Sequence, residues 1–161
     1  MPNVAHRSDP GPLPLDVIPL ERKAHRNFAL KSWVKTLRRL PNKRGIDPNW
    51  LCAAGESLIK ALFASPRVVT LAAVNPDNHD HLYGFIVGEP ERRVLHFVYT
   101  KESLRSQPDP EPKGLCATQL MGHMFGEPGE AIEITEQSRD LRWLQRWNLR
   151  PRTYRICEAI R

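Results

Sequence analysis

The sequence predicts an α+β domain in which helices pack on a central sheet. Three observations carry this. Residues 94–99, Val-Leu-His-Phe-Val-Tyr, run without polar alternation, as a strand covered on both faces does. Upstream, residues 22–40 and 47–64 carry apolar side chains at the helical period. Between those helices and the central strand, apolar runs at 67–74 and 82–87 flank Asn75-Pro76-Asp77-Asn78, a turn-forming cluster, and read as a hairpin.

The chain of 161 residues is long enough for one domain with a real core. Residues 13–161 are expected to form it. Residues 1–12 hold Pro2, Pro10 and Pro12 and read as an extended arm, because proline fixes φ and removes a donor. Residues 13–20 suit an edge strand, the place in a sheet where Pro14 and Pro19 are tolerated.

Within 22–40, Leu30, Trp33, Val34, Leu37 and Leu40 share one face, and Lys31, Lys35, Arg38 and Arg39 the other; Pro41 and Gly45 end the helix. The second helix opens on Asp47 as N-cap with Pro48 in its first turn. Its expected apolar stripe is Leu51, Ala54, Leu58, Ile59 and Leu62, and Ser65-Pro66 stops it. His79-Asp80-His81 extends the hairpin turn. The two histidines are a metal-ligand pair without an evident third ligand, or simply part of a polar turn.

After the central strand the chain passes Arg105 and a breaker-rich loop holding Pro108, Pro110 and Pro112. It restarts at Lys113-Gly114 as a helix with Ala117, Leu120, Met121 and Met124 on one side. A helix N-terminus after a glycine-containing loop is a candidate anion site, since its free amides and dipole favour negative charge. A short strand at 131–135, a helix at 139–148 broken by Arg150-Pro151, and a final strand at 152–160 complete the order. Trp33, Leu37, Leu58, Leu62, Phe85, Phe97, Leu120 and Met124 are the expected core.

Composition narrows the function classes. No run of about 18 apolar residues exists, so no membrane span is expected. Met1 to Leu20 lacks a secretory pattern, and a cytoplasmic location follows as the expectation. Cys52, Cys116 and Cys157 form no CxxC and no zinc-type cluster, so they are expected as buried thiols and no metal site is assigned. The net charge of +6 permits nucleic acid, an acidic protein surface or a phosphorylated cofactor as partner.

The order strand, helix, helix, strand, strand, strand, helix, strand, helix, strand resembles the GNAT family of N-acetyltransferases. Locally, 94–99 is similar to that family's fourth strand, Arg105 to the start of its phosphate loop, and Gly114-Leu-Cys-Ala117-Thr-Gln-Leu120 to the helix that follows. The resemblance implies a mixed, mostly antiparallel sheet of about six or seven strands with helices on both faces. It also implies acetyl-CoA, with pantetheine along Val98, Tyr99 and Thr100. The pyrophosphate would lie near Arg105, Lys113, Gly114 and Ala117. His96 followed by Phe-Val-Tyr-Thr-Lys101, then Leu104-Arg105, also looks like small acetyltransferase-like proteins of tailed bacteriophages.

Three departures from the family pattern stand out. The loop after Arg105 is longer and rich in proline and acid. Leu115 stands where a glycine is usual. Leu144 occupies the position of a common tyrosine acid. Two functions follow. One is acetyl transfer to a primary amine on a small molecule or protein. The other is a catalytically inactive GNAT-fold subunit with protein partners, such as a component of a phage particle. In the first, His96, Glu133 or Glu136 is the candidate base and Tyr99 the candidate acid. For His96 the competing role is a satisfied histidine in the sheet, for Glu136 a helix-start carboxylate, and for Tyr99 packing.

Overall fold

The structure is a computed structural model that describes residues 14–38, 47–105, 115–135 and 147–151. The expected N-terminal arm, most of the helix at 139–148, the strand at 152–160, and Cys157 lie outside them, as do Lys113, Gly114 and Glu136.

A six-stranded sheet is built in chain order from β1 (Asp16–Pro19), β2 (Val69–Asn75), β3 (Asn78–Glu89), β4 (Val94–Thr100), β5 (Ile132–Ile134) and β6 (Leu149–Pro151). The first three pairings are antiparallel, and β4–β5 and β5–β6 are parallel. The helices are α1 (Lys23–Arg38), α2 (Pro48–Ala64), the one-turn α3 (Glu102–Arg105) and α4 (Leu115–Phe125). The mixed α+β class and the interior position of β4 are as expected.

Successive strand residues point to opposite faces, and two apolar clusters divide accordingly. Ala72, Val74, Phe85, Val87 and Phe97 pack with Ala29 and Trp33 of α1 and Ile59 and Leu62 of α2. Ala73, Ile86 and Leu95 pack with Cys116, Leu120, Met121 and Met124 of α4 and with Ile132, Ile134 and Trp147. Phe97 stacks on Trp33 at 4.6 Å and 10°, which anchors β4 to α1. Each fully buried side chain of this size contributes about 1.5–3 kcal/mol.

Several boundaries and faces differ from the sequence reading. The α2 stripe is rotated: Cys52, Gly55, Ile59 and Leu62 are buried, Leu51 and Leu58 half-buried, and Ala54 exposed. Gly55 is the reason. A Cβ there would strike Leu37 of α1, so the missing side chain lets the two helices approach along that line. Leu37 is half-buried rather than buried.

The hairpin turn is tighter than expected. Asp77 N–H is capped by Asn75 Oδ1 at 2.9 Å, and β3 resumes at Asn78. His79, Asp80 and His81 therefore belong to a strand. His79 Nε2 lies 2.8 Å from Asp16 Oδ2, while Asp80 pairs with Arg22. His79 and Asp80 are thus engaged between elements, and His81 lies edge-on to Tyr83 of the same strand.

At the other end, β3 runs on through Gly88 and Glu89, and a 3₁₀ turn (Pro90–Arg92) leads to Arg93 in the left-handed region at φ 51. The Arg93 guanidinium donates to the carbonyls of Phe125, Glu130 and Ala131 at 3.4, 3.1 and 3.3 Å. A cation on the last carbonyls of α4 also suits the helix dipole. That clamp fixes where β5 enters the sheet.

The segment 147–151 is a further correction. Residues 147 and 148 of the expected helix are not helical, and Arg150-Pro151 is strand rather than a break: Ile132 N–H donates to Asn148 O at 2.9 Å and β6 pairs with β5. Pro151 is accommodated because β6 is, among the described residues, an edge strand.

Candidate active site

The site lies where β4 and β5 part. Val87 faces Phe97 across the β3–β4 ladder, but Gly88 faces Leu95, so β4 spends one extra residue, His96, as a β-bulge. Beside the bulge, β5 pairs with β4 at Val94 and Leu95 only. Glu133 N–H donates to Arg93 O at 2.8 Å and Thr135 N–H to Leu95 O at 3.1 Å. Beyond that point β4 continues to Thr100 with no strand pairing to β5 among the described residues.

The orientation of the β4 backbone follows from the ladder. Lys101 N–H donates to Tyr83 O at 2.9 Å. Antiparallel pairs alternate, so Tyr99 and Phe97 exchange their bonds with β3. The backbone groups of Val98 and Thr100 are thereby turned to the side that β5 has left.

The first turn of α4 packs at the Thr100 end of β4. Gly84 lies opposite Thr100, and a Cβ on Gly84 would meet the Tyr99 carbonyl oxygen and come within 3.1 Å of Cys116 Sγ. The glycine is what allows β3, β4 and α4 to meet here. Ala117 is fully buried in that turn, and Arg105 is the last residue of α3.

The candidate catalytic groups fall as follows. Tyr99 faces the α1–α2 side, stacked on Phe85 at 5.4 Å and edge-on to Phe28 at 5.9 Å. Glu133 is exposed on β5. Cys116 is buried, and burial pushes its thiol up to about 11 against the opposing effect of a hydrogen bond with Thr100. It is a protonated core thiol at neutral pH.

His96 is buried and fully engaged. Its Nε2 lies 3.0 Å from Glu89 Oε1 and its Nδ1 lies 3.1 Å from Thr135 Oγ1. Glu89 is also buried, and Arg92 holds its second oxygen at 2.9 Å. Burial by itself would raise the Glu89 carboxyl, but the hydrogen bonds from His96 and Arg92 outweigh it and hold it below its usual value. An ionised Glu89 is an acceptor only, so His96 Nε2 carries the proton. In neutral His96, Nδ1 then accepts from the Thr135 hydroxyl.

The sequence alone does not single out Glu89 or Thr135. The signal is weak: a carboxylate one glycine beyond the apolar run 82–87 and a turn's length before a strand that holds a histidine. Nothing local points to Thr135. Among the described residues, no group of three or more His, Cys, Asp or Glu is arranged to hold a metal ion, and no helix is long and apolar enough to cross a membrane. Compared with protein-family models the chain matches none, and a search of curated proteins finds no match.

Proposed function

We propose that this protein is a GNAT-like acyltransferase that moves acetyl from acetyl-CoA to a primary amine. The observation that carries the reading is the gap beside β4, with the backbone of Val98 and Thr100 turned towards it. An extended pantetheine arm pairs with such an edge as an added strand would. The first turn of α4 lies near Thr100, the end of β4, and helix amides and dipole favour a pyrophosphate. The family resemblance would add Arg105, Lys113 and Gly114 to that pyrophosphate contact, Lys113 and Gly114 lying outside the described residues, with the small Ala117 in the helix that follows. His96, Glu133 or Glu136 is then the base for the incoming amine and Tyr99 the acid for the leaving thiolate. On this reading the protein acts in the cytoplasm.

Titration with acetyl-CoA while following the melting temperature tests it, because a ligand that binds only the folded state must raise that temperature. Charge-assisted contacts are worth about 1.5–3 kcal/mol, so Arg105→Ala should weaken binding by about tenfold or more. No shift at millimolar acetyl-CoA overturns the reading.

A second reading, a non-catalytic GNAT-fold subunit with protein partners, such as a phage particle component, is favoured by one observation. Every described catalytic candidate on β4 and α4 already has a structural engagement: His96 at both nitrogens, Tyr99 between Phe85 and Phe28, Cys116 in the core. The basic outer face of α1, with Lys31, Lys35 and Arg38, leaves nucleic acid as a further partner class.

A further inference from the structure

We propose that Glu89, His96 and Thr135 form an acyl-transfer triad, with the Thr135 hydroxyl as nucleophile, acting on thioesters and activated esters. This goes beyond the acetyl-CoA reading, since it needs neither the nucleotide part of the cofactor nor an amine.

The argument is one of kind, order and burial. Nucleophilic catalysis by a hydroxyl needs an adjacent base, and the base needs a third group to orient it and stabilise its charge. Here a carboxylate, an imidazole and a hydroxyl stand in that order at 3.0 and 3.1 Å. The carboxylate and imidazole are 2% and 1% exposed, whereas Thr135 is half-buried. Among the described residues, the nucleophile end of the relay is therefore its most exposed part. Thr135 also sits where β5 leaves β4, at the mouth of the gap already described. By strand alternation Glu89 and Thr135 share the α1–α2 face, because their neighbours Gly88 and Ile134 meet α4 and its cluster. The three side chains come from β3, β4 and the end of β5, and the bulge at His96 is what turns the ring between the other two.

The chemistry closes as follows. Thr135 Oγ attacks the acyl carbon, and its proton passes to His96 Nδ1, giving an imidazolium facing the Glu89 carboxylate. The tetrahedral adduct collapses, the bond to the thiolate or phenolate breaks, and the Nδ1 proton goes to that leaving group. An ester of Thr135 remains. Water attacks it with His96 again taking a proton, which then goes to Thr135 Oγ as the carboxylic acid leaves. No metal or oxidant is needed. Thr135 and His96 are catalytic residues on this account, and Glu89 is a positioning residue.

The probe is p-nitrophenyl acetate, with nitrophenolate release followed by absorbance and the acetylated residue located by peptide mass mapping. The wild-type chain should release nitrophenolate faster than the same chain unfolded in urea, and should carry acetyl on Thr135. Thr135→Val, nearly isosteric, should lose both, and Thr135→Ser should retain both. His96→Gln should slow release by about a hundredfold or more, the scale of general-base catalysis. Glu89→Gln should lower kcat and leave KM unchanged. Circular dichroism at the assay temperature shows whether each variant is folded. Thr135→Val and Thr135→Ser carry the decision if the buried variants are not. Release by folded Thr135→Val at the wild-type rate, acetyl found only on lysines, or a wild-type rate equal to that of the unfolded chain would each overturn the proposal. The network would then be only a tie between three strands. None of these readouts involves CoA, so failure here and failure of acetyl-CoA binding are distinguishable.

Discussion

His96 Nε2 and Glu89 Oε1 stand 3.0 Å apart in the interior, on opposite sides of a hairpin whose ladder skips His96. A buried carboxylate is tolerated because it is paired, and removing one partner strands the other. Glu89→Ala is expected to cost about 3–5 kcal/mol in urea unfolding at neutral pH. The pH dependence has a definite sign. The folded Glu89 carboxyl is held below its ordinary value of 4.5, so the stability it contributes is present above that value. It is lost as pH falls through the folded value. Wild type should therefore lose more stability than Glu89→Gln between pH 6 and pH 3; equal losses would mean that the carboxylate is not held ionised by His96 and Arg92.

Gly84 should not accept a methyl group. The added Cβ would meet the Tyr99 carbonyl oxygen, a backbone atom that cannot rotate aside, with Cys116 Sγ 3.1 Å away on the other side. Gly84→Ala is expected to destabilise by about 1–3 kcal/mol, as overpacking does. Because the strain falls at Tyr99 and Thr100, it should also weaken any ligand bound along β4. A neutral thermal melt would show that β3, β4 and α4 do not meet as closely as described.

Phe97 joins the sheet to α1 through its stack on Trp33 and its contact with Phe85 at 5.7 Å. Truncating it removes a buried ring and leaves a cavity between rigid neighbours. Phe97→Ala should cost about 3–5 kcal/mol, read as a lowered urea midpoint with an unchanged slope.

The Cys116 thiol, raised to about 11 by burial, is almost wholly protonated at pH 8. A disulfide reagent at that pH should leave Cys116 unmodified in the native chain and modify it at once in urea, as judged by peptide mapping. Rapid native labelling would mean that the first turn of α4 opens freely.

The periodicities along the chain marked the segments that form β1 to β5, α1, α2 and α4. The interior position of β4, the edge position of β1, the cap at Asp47 and most of the core, from Trp33 to Met124, were legible because each depends on a short stretch of neighbouring residues. Only the tertiary structure decided the buried face of α2, since that depends on Leu37 meeting the space left by Gly55. The same holds for β6, where pairing with β5 draws a proline-containing segment into the sheet. It holds most for the site. Thr135 reaches His96 across 39 residues and Glu89 across 7, and both contacts hang on a one-residue bulge in the β3–β4 register. Shifting that register by one residue would turn the side chains to the other face, and no local property of Glu, His or Thr records which register the sheet adopts.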